Sequence, residues 1–595
     1  MCGIAGVFHV DAGVEVSSDV VGRMAAVLRH RGPDDAGVYV RGPIGLAAQR
    51  LAIVDPAGGA QPMVNDDDSV AVVFNGEIYN YRELRAVLRT HGHRFTSDSD
   101  TEVVLRAYEH YGPRCVEHFR GMFALAVWDA RRRRLFLARD RLGIKPLYFA
   151  WDGRRLCFGS ELKAILAAGV SLALDATALD DFFTFNYIPA PRTIFAAVRK
   201  LPPGCTASVS AAGLLEQEYW DLAFEPEERD EVTWAERLGE MLHETVALHV
   251  AGEEAAGVFL SGGVDSSALT ALAAEIAGEP VATFSMGFAE PEFDERPFAR
   301  VVAERWGTRA HEALLRPEAV QVLDRLAWHF DEPFADSSMV PTYHVCQLAR
   351  AHVRVCCAGD GGDELFAGYS RFAAFEARAA VDPDGAEEAY LAARTWITPA
   401  MRQRLYGDGL RRALRGYDPL AQVRARFAHA RQWDPLSRVQ YVETKTYLPG
   451  DLLTKVDRAS MAHGLEARVP LLDHRLVEFA ARIPAGCKLR QGESKAVLKR
   501  ALGDRLPPQV AARPKTGFSM PLATWMRGAL RPWVEQRLFA GEARIGEWVN
   551  LAAVREWWDA HQRGQDLNRF LWSLVVLEAW AARHLTGSAD VGWSR

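Results

Sequence analysis

The stretch that decides the fold of the larger part of this chain is Val258-Phe259-Leu260-Ser261-Gly262-Gly263-Val264-Asp265-Ser266-Ser267. Its apolar residues predict a buried strand, its glycines predict a loop, and the alanine-rich run over 267–277 predicts a helix. Glycines allow backbone N–H groups to approach a phosphate, and the N-terminus of a helix adds partial positive charge. We therefore expect a phosphate-binding loop here. It is not a Walker-type loop, because the chain contains no Gly-Lys-Ser or Gly-Lys-Thr sequence.

A second glycine-rich turn follows the strand predicted over 353–358 and reads Gly359-Asp360-Gly361-Gly362-Asp363. A further strand is predicted over 281–288, and strands that alternate with helices indicate a parallel sheet with right-handed crossovers. Carboxylates beside glycines suit Mg²⁺, which takes few protein ligands and keeps water and phosphate as the others. The sequence lacks the spacing of a calcium-binding EF-hand.

The first 205 residues have a different pattern, in which short apolar runs are separated by turn residues. These runs predict a largely antiparallel sheet, and we expect Asn75-Gly76 to form a type I′ hairpin turn within it. The polar, acidic stretch over 216–231 is the best candidate linker. The last part of the chain has a mostly helical pattern. The sequence thus predicts an α/β protein of two domains.

The composition is that of a soluble globular protein. The 595 residues are 49% hydrophobic and 25% charged, which predicts two to four domains with sizeable cores. A net charge of −7 disfavours a nucleic-acid coat or a polybasic membrane binder. The eight cysteines show neither a Cys-x-x-Cys pair nor zinc-ligand spacing, so we expect reduced thiols and a cytoplasmic location. The most apolar stretch, 570–582, contains polar residues and is too short to span a bilayer.

Cys2 follows the initiator methionine, and the small side chain at this position permits removal of Met1. Removal would leave a free α-amino group, with an ordinary pKa of about 7.7–8.0, beside a thiol with a pKa of about 8.5. Because the amine can accept a proton near neutral pH, the pair has the arrangement of an N-terminal nucleophile. A cysteine at position 2 is weak evidence alone, so the neighbouring motifs decide its interpretation.

Motifs across the first 160 residues together resemble the class II glutamine amidotransferase domain, an N-terminal-nucleophile hydrolase. They are Cys2-Gly3-Ile4-Ala5-Gly6, Arg29-His30-Arg31-Gly32-Pro33-Asp34, Gln49-Arg50-Leu51-Ala52-Ile53-Val54-Asp55, Phe74-Asn75-Gly76-Glu77 and Ser99-Asp100-Thr101-Glu102. The resemblance implies that Cys2 attacks the side-chain amide of glutamine and that Asn75 and Gly76 form the oxyanion hole. It also implies that Arg50 holds the α-carboxylate of glutamine, and that Asp100, with Glu77 nearby, receives its α-ammonium group.

The phosphate-binding loop resembles that of ATP pyrophosphatases, which cleave ATP between its α- and β-phosphates. Later segments resemble the same family: Lys455-Val456-Asp457-Arg458, Glu466-Ala467-Arg468-Val469-Pro470, Gly492-Glu493-Ser494-Lys495 and Arg513-Pro514-Lys515-Thr516-Gly517. The resemblance implies that ATP contacts residues of the two loops and of the strand between them, namely Leu260, Ser261, Gly262, Gly263, Asp265, Ser266, Ser267, Met286 and Gly359. It implies that Asp265 and Asp363 hold Mg²⁺ and that Lys515 neutralises the charge of the departing pyrophosphate.

The two halves together resemble the glutamine-dependent asparagine synthetases over nearly the whole chain. The resemblance implies that ammonia released at Cys2 passes through the interior and amidates a carboxylate that ATP has activated as its acyl-adenylate. Aspartate is the leading acceptor, and a different carboxylate in a specialised biosynthetic pathway is the alternative. A catalytically idle scaffold is disfavoured, because both sets of site residues are complete. Asp360 stands where the best-known members have Glu, and we predict that it accepts the proton in the amidation step.

The predicted domains are a glutaminase over 2–210, a linker over 211–231 and an asparagine synthetase-like ATP-pyrophosphatase domain over 232–595. The first is expected to have the αββα fold, and the second to combine a parallel α/β sheet with a helical C-terminal part. ATP is expected as a substrate and Mg²⁺ as a cofactor. The expected partners are small molecules, namely glutamine, ATP and aspartate or another carboxylate. A homodimer is possible, and neither nucleic acid nor a membrane is expected as a partner.

Overall fold

The computed structural model describes residues 1–250, 255–541 and 543–585. The predicted end of the second domain at residue 595 lies outside these residues. The strands of the N-terminal part are β1 (Cys2–His9), β2 (Asp35–Arg41), β3 (Ile44–Arg50), β4 (Met63–Val64), β5 (Val70–Ile78), β6 (Gly121–Asp129), β7 (Arg134–Arg139), β8 (Tyr148–Trp151), β9 (Arg155–Gly159), β10 (Arg199–Lys200), β11 (Cys205–Ser210) and β12 (Gly213–Glu218). The later strands are β13 (Ala256–Phe259), β14 (Ala282–Phe288), β15 (Arg309–Leu315), β16 (Val355–Cys357), β17 (Glu466–Arg468), β18 (Leu489–Arg490) and β19 (Glu493–Ser494).

Two antiparallel sheets form the N-terminal part. One has the strand order β10-β8-β9-β1-β3-β2 and the other has the order β12-β11-β7-β6-β5-β4. Apolar side chains of both sheets share one core, among them Phe8 of β1 and Val73 of β5. The helices of this part are α1 (Ser18–Ala26), α2 (Tyr81–Thr90), α3 (Asp100–Tyr111), α4 (Leu162–Leu166) and α5 (Ala176–Phe185). Because α1, α4 and α5 cover the first sheet and α2 and α3 cover the second, the expected αββα fold is confirmed.

The expected hairpin turn at Asn75-Gly76 is wrong. Both residues lie inside β5, where Asn75 pairs with Ala124 and Gly76 pairs with Phe123 of β6. The asparagine–glycine pair is a strong turn signal, but here the glycine serves a close approach between strands. A Cβ atom on Gly76 would lie 2.1 Å from the carbonyl oxygen of Met122. The strand therefore continues through this pair.

The predicted linker over 211–231 is partly regular structure. Gly213–Glu218 form β12, which pairs with β11 at the edge of the second antiparallel sheet, so this sheet extends beyond residue 210. The irregular stretch that follows is packed against the protein: the phenol of Tyr219 donates to the carbonyl oxygen of Arg139 over 2.9 Å. Its polar, acidic composition indicated a linker, and the sequence does not show which of its side chains are anchored.

A parallel sheet follows, with the strand order β15-β14-β13-β16-β17. The strands predicted over 258–260, 281–288 and 353–358 are confirmed as β13, β14 and β16. The strand order reverses between β13 and β16, so the loops after these two strands open onto the same crevice. In open α/β sheets, ligands bind in such a crevice at the carboxyl ends of the strands. The fold thus places both glycine-rich loops side by side.

The later helices surround the parallel sheet and make up most of the C-terminal part, as expected. They are α6 (Glu231–Val250), α7 (Val264–Ile276), α8 (Arg296–Trp306), α9 (Leu323–Phe330), α10 (Met339–Arg350), α11 (Gly362–Phe366), α12 (Ser370–Ala379), α13 (Pro383–Ala393), α14 (Pro399–Leu405), α15 (Asp408–Ala413), α16 (Ala421–His429), α17 (Pro435–Lys445), α18 (Leu453–Met461), α19 (His474–Arg482), α20 (Ala485–Lys488), α21 (Ala496–Leu502), α22 (Pro508–Ala511), α23 (Leu522–Arg527), α24 (Arg531–Phe539), α25 (Leu551–Gln562) and α26 (Asn568–His584). Within the described residues, no helix has the length and apolar character needed to cross a membrane.

Candidate active sites

Cys2 begins β1 in the interior, where neighbouring polar groups fix its position. Its backbone N–H donates a hydrogen bond of 2.9 Å to Oδ1 of Asn75 on β5. The guanidinium Nε of Arg31 donates to the carbonyl oxygen of Cys2 over 3.2 Å. The amide Nε2 of Gln61 lies 3.7 Å from the thiol Sγ. The predicted nucleophile is therefore held on both sides of its Cα atom.

The side-chain amide of Asn75 has the features expected of an anion-binding donor. Its Oδ1 is occupied by Cys2, whereas its Nδ2 is buried and has no hydrogen-bond partner among the described residues. A buried polar group without a partner costs about 1–3 kcal/mol, so folded proteins rarely keep one without a use. A donor that is already fixed and unpaired can stabilise charge that develops on a substrate oxygen. The structure brings Asn75 beside Cys2, as the resemblance implies.

Met1 closes this site in the chain described here. Its α-ammonium group donates to Oε2 of Glu466 on β17 over 2.9 Å, and its side chain is buried. The cavity beside Cys2 has a volume of only about 20 Å³, which is room for about one water molecule. Burial raises the pKa of the Cys2 thiol, and the N-terminal ammonium group acts in the opposite direction. A glutamine side chain therefore needs Met1 to leave.

The residues predicted to bind glutamine line the same small cavity, together with Cys2 and Gly76. The guanidinium of Arg50 donates to the carbonyl oxygens of Pro56 over 2.8 Å and of Asp55 over 2.7 Å. The loop that contains Asp55 and Pro56 therefore fixes the position of the Arg50 guanidinium. Burial raises the pKa of Asp100 to about 6, although its Oδ2 accepts a hydrogen bond of 3.1 Å from the backbone N–H of Ile78. An ammonium group arriving beside Asp100 would favour its ionised form.

Strand β17 connects this cavity to the parallel sheet. Nη2 of Arg468 lies 2.5 Å from Oε2 of Glu77, and its Nε donates to Oε1 of Glu466 over 2.8 Å. Burial raises the pKa of Glu77 well above its usual range, and the charge of Arg468 acts in the opposite direction. The carbonyl oxygen of Arg468 accepts a hydrogen bond of 2.8 Å from Ala358, which precedes the second glycine-rich loop. One strand therefore touches both candidate sites.

The second candidate site is a cavity of about 830 Å³ at the carboxyl ends of β13, β14 and β16. Most of the predicted ATP-site residues line it, together with the predicted proton acceptor and lysine: Leu260, Ser261, Gly263, Asp265, Ser266, Met286, Gly359, Asp360, Asp363 and Lys515. Two predicted ATP ligands do not line it. Gly262 forms a left-handed turn with a φ of 70°, and Ser267 is fully buried in the first turns of α7. These two residues shape the loop beneath the cavity.

Two carboxylates and two lysines meet at the centre of this cavity. Nζ of Lys495 lies 2.5 Å from Oδ2 of Asp265 and 2.5 Å from Oδ1 of Asp363. Nζ of Lys515 lies 2.5 Å from Oδ2 of Asp363. A Cβ atom on Gly362 would lie 2.3 Å from the Asp265 carboxylate, so only glycine allows this convergence. Burial opposes ionisation of Asp363, but the two lysines hold its pKa below the usual range.

These residues fit Mg²⁺. Oδ1 of Asp265 is buried and has no hydrogen-bond partner in the described part of the chain, so one carboxylate oxygen is available as a ligand. Among the described residues, no group of three or more His, Cys, Asp or Glu side chains has metal-binding geometry. Mg²⁺ commonly uses one or two carboxylates together with substrate phosphates and water, so a pair of aspartates is sufficient.

Asp360 lines the same cavity as this charged centre and as the ion pair of Lys455 with Asp336. Burial raises its pKa, while the charges of Lys455 and Lys515 act in the opposite direction. Lys455 is fixed by its own partners, since its Nζ donates to Asp336 over 2.7 Å and to Ser338 over 2.8 Å. A carboxylate whose pKa is moved toward neutrality is better suited to accept a proton. The structure thus places Asp360 in the larger cavity, and its role as proton acceptor stays a prediction.

The sequence interpretation did not assign a role to several residues that the structure brings to these sites: Arg31, Glu466, Arg468, Lys455 and Lys495. All of them lie in segments that carried the family resemblance, which was the available signal. Arg371 and Arg394 also line the larger cavity, and nothing in the sequence distinguished them from surface arginines. Their position in the cavity depends on which helices pack together.

Comparison with known proteins gives a family for both parts of the chain. Residues 237–582 match the family model described as asparagine synthase, and residues 1–220 match the glutamine amidotransferase domain. The chain is 32% identical to asparagine synthetase [glutamine-hydrolyzing] 1 of Bacillus subtilis (strain 168), over 98% of this chain and 96% of that protein. It is 35% identical to a putative asparagine synthetase [glutamine-hydrolyzing] of Mycobacterium tuberculosis (strain ATCC 25618 / H37Rv), over 98% of this chain and 97% of that protein.

Both matches agree with the positions of the two cavities. The match to the amidotransferase domain includes Cys2, Asn75 and every residue that lines the smaller cavity except Glu466, and the asparagine synthase match includes both glycine-rich loops. The two relatives are similar to this chain across both parts and not across one alone. The chain therefore belongs to the asparagine synthase family and carries a glutamine amidotransferase domain ahead of the synthase region.

Proposed function

We propose that this chain hydrolyses glutamine at Cys2 and uses the ammonia to amidate a carboxylate, that of aspartate, which ATP has adenylated. The products are glutamate, asparagine, AMP and pyrophosphate. The observation that carries the proposal is the pair of cavities in one chain, one beside Cys2 with the unpaired Asn75 amide and one around the paired carboxylates Asp265 and Asp363. The relatives named above bear the name of this activity, which supports aspartate as the acceptor.

In the first half-reaction, removal of Met1 frees the α-amino group of Cys2, which accepts the thiol proton. The thiolate then attacks the side-chain amide of glutamine, and the amide Nδ2 of Asn75 and the backbone N–H of Gly76 stabilise the developing oxyanion. Arg50 binds the α-carboxylate, while Asp100 and Glu77 receive the α-ammonium group. Protonation of the departing nitrogen releases ammonia, and water hydrolyses the thioester to glutamate.

In the second half-reaction, the loops after β13 and β16 hold ATP while the carboxylate attacks its α-phosphate. Bound Mg²⁺ would supply neutralising charge for the phosphate oxygens, held by Asp265 and Asp363. Lys515 and Lys495 balance the charge that leaves with pyrophosphate. Ammonia then attacks the acyl-adenylate, Asp360 accepts a proton, and AMP departs. Adenine lies along Met286 of β14 in this arrangement.

Ammonia travels between the cavities through the interior. One apolar cluster contains Met1 and Leu51, which line the smaller cavity, together with Leu260 and Ala358, which line the larger one. An apolar route keeps ammonia unprotonated and therefore nucleophilic, because an apolar environment disfavours the charged ammonium form.

The domains, cofactor and setting follow from the same proposal. The glutaminase domain extends from residue 2 to the end of β12 at Glu218, the connection ends at Glu231 where α6 begins, and the synthetase domain follows. Mg²⁺ accompanies ATP. The partners are small molecules, with a homodimer as the assembly and neither nucleic acid nor a membrane as a partner, and the enzyme acts in the cytoplasm.

Acceptor-dependent release of AMP tests this function. Purified chain is incubated with ATP, Mg²⁺ and ammonium, and a panel of carboxylates is screened for AMP and pyrophosphate. We expect aspartate to give the highest kcat/KM and glutamine to replace ammonium as nitrogen source. Release of ADP and phosphate would contradict the assigned loop type. A different preferred carboxylate would contradict aspartate as acceptor and retain the reaction class.

A further inference from the structure

Residues 513–521, between α22 and α23, line the 830 Å³ cavity and contain neither helix nor strand. The middle of this segment, residues 514–517, is exposed, and the side chain of Lys515 is 38% exposed. Nζ of Lys515 nevertheless lies 2.5 Å from Oδ2 of Asp363. We call residues 513–521 the lysine strap. Because an exposed, irregular segment lacks the regular backbone hydrogen bonds of a helix or strand, contacts at its ends must hold Lys515 in place.

Arg513 anchors the first end of the lysine strap. Its Nη2 donates to Oε1 of Glu295 over 2.9 Å, and its Nη1 donates to the carbonyl oxygen of Ser261 over 3.2 Å. The side chains of Arg513 and Glu295 are only 11% and 10% exposed. The guanidinium carbon of Arg513 lies 4.2 Å from the ring centre of Phe298. Both terminal nitrogens of Arg513 therefore have protein partners, which makes this arginine a tie between segments.

Trp525 of α23 anchors the other end. Its indole Nε1 donates to Oε1 of Glu290 over 2.7 Å, and its ring centre lies 5.9 Å from that of Phe288, the last residue of β14. Glu290 and Glu295 both belong to the segment that connects β14 with α8. Both ends of the lysine strap are therefore attached to one short segment.

The phosphate-binding loop packs on the same support. A Cβ atom on Gly262 would lie 2.5 Å from Cβ of Phe298 and 2.6 Å from the backbone nitrogen of Ala299, both in the first turn of α8. Phe298 thus touches the loop on one side and the guanidinium of Arg513 on the other. The region that begins α8 therefore sets the position of the lysine strap relative to the loop.

We propose that Glu295 and Glu290 position Lys515 for the departure of pyrophosphate by anchoring the two ends of the lysine strap. This inference rests on the proposed function, in which Lys515 neutralises the charge that leaves with pyrophosphate. A misplacement of about 1 Å can cost about 100-fold in rate, so a loosened strap should slow the ATP step even though Lys515 is present. The anchoring segment directly follows β14, so the position of Lys515 depends on the strand along which the proposed function places adenine.

Acceptor-dependent exchange of radiolabelled pyrophosphate into ATP, without glutamine or ammonium, measures adenylation alone. In this assay Lys515→Gln should lower kcat by at least about 100-fold, because a charge that stabilises the transition state is lost. Arg513→Gln and Glu295→Gln should each lower kcat by about 10- to 100-fold and change the KM for ATP less. Arg513→Lys, which can still pair with Glu295, should recover part of the rate. Trp525→Phe removes only the Nε1–H donor and should lower kcat by about 10-fold or less.

A double-mutant cycle shows whether Arg513 acts through Lys515. Adding Arg513→Gln to Lys515→Gln should lower kcat by less than about 2-fold further, because no lysine is left to position. Arg505→Gln is the matched control and should leave kcat unchanged. It breaks a pair of similar length, 2.8 Å from Nε of Arg505 to Oε1 of Glu275, between residues that do not line the cavity.

Limited digestion with trypsin measures the anchoring without using activity. Trypsin cleaves after Lys515 but not after Arg513, because a proline follows Arg513. Release of one end of the lysine strap in Glu295→Gln should speed cleavage after Lys515 by about 10-fold, the factor for a lost hydrogen bond to a charged group. Arg505→Gln should be cleaved there at the wild-type rate. Mass spectrometry of the fragments identifies the cleavage site.

The outcomes separate this inference from the proposed function. Wild-type chain without aspartate-dependent exchange would overturn the proposed function, and this inference with it. Wild-type exchange with unchanged kcat in Arg513→Gln and Glu295→Gln, whatever the rate of cleavage, would overturn only this inference. So would a loss from Arg513→Gln that is as large in the Lys515→Gln background as in wild type, since Arg513 would then act on the phosphates itself. Glutamine hydrolysis and thermal melting of each variant show whether it is folded.

Discussion

The two cavities differ in how their polar groups are paired. Beside Cys2 the space is about 20 Å³, and Nδ2 of Asn75 has no partner among the described residues. In the 830 Å³ cavity Asp265 and Asp363 are both in contact with Lys495. A fixed, unpaired donor suits a neutral amide on which charge appears only during reaction. Paired charges suit ligands that arrive charged, because each incoming group can replace a partner.

Removing the thiol is the strongest test of this contrast. Cys2→Ala should abolish glutamine-dependent amidation, at least about 1,000-fold, because Cys2 supplies the thiol that lies beside Asn75. The ammonia-dependent reaction in the larger cavity should remain. Both reactions are measured by AMP release. Cys205 has a partly exposed thiol outside the site, so Cys205→Ala is the matched control. An N-terminal extension that retains Met1 should act like Cys2→Ala. Full glutamine-driven activity in either protein would contradict the assignment of Cys2.

Neutralising the paired carboxylates tests the other cavity. Asp265→Asn and Asp363→Asn should each reduce ATP cleavage by at least about 100-fold, because the charges that position ATP and Mg²⁺ are lost. Hydrolysis of glutamine at Cys2 should remain measurable, since the two cavities are separate. Titration of Mg²⁺ in the exchange assay should show that both variants bind the metal more weakly than wild type. A loss of glutamine hydrolysis equal to the loss of ATP cleavage would contradict independent sites.

Asp360 provides a finer test within the larger cavity. Asp360→Asn should lower amide formation by about 100-fold, the usual contribution of a positioned base. Acceptor-dependent pyrophosphate exchange should fall far less, because adenylation does not need this base. Asp360→Glu, which restores the carboxylate, should recover part of the rate. Equal losses in both steps would assign Asp360 to metal or phosphate binding instead.

The smallest expected effect concerns pH and the closed cavity. Burial raises the pKa of Asp100 to about 6 from 3.8, so its proton is held more tightly in the folded chain. This raised pKa stabilises the folded chain fully at pH values below about 3.8, and the stabilisation is lost as the pH rises through about 6. Asp100→Asn should therefore be stabilised relative to wild type at pH 7.5, by about 1–3 kcal/mol, and much less at pH 4.5.

Thermal melting at the two pH values measures this difference. Asp35→Asn, at an exposed aspartate of β2, is the control and should behave like wild type at both pH values. Asp100→Asn protein that melts below wild type by the same amount at pH 4.5 and pH 7.5 would contradict this prediction. It would show that burial does not destabilise the ionised form of Asp100.

Much of the fold and site was predictable because the residues lie close together in the chain. The strand–loop–helix around Ser261 and the turn at Asp360 depend on local spacing, and the parallel sheet brings their loops together by topology. The Asn75-Gly76 pair was misread as a turn for the same reason. The residues next to a glycine do not show whether it is needed for a left-handed turn or for close contact with a strand far along the chain. Here Gly76 is needed for close contact with Met122 of β6.

The chemical groups of both sites can be read from residue identity and local spacing: a thiol at position 2, two glycine-rich loops and the carboxylates beside them. The environment of these groups depends on tertiary packing. Lys495 reaches Asp265, Glu466 reaches the amino group of Met1, and Arg371 reaches Glu443, although each pair is distant in the chain. The physical reason is that a side chain's function depends on its burial and its charged neighbours, and packing of helices and strands sets both.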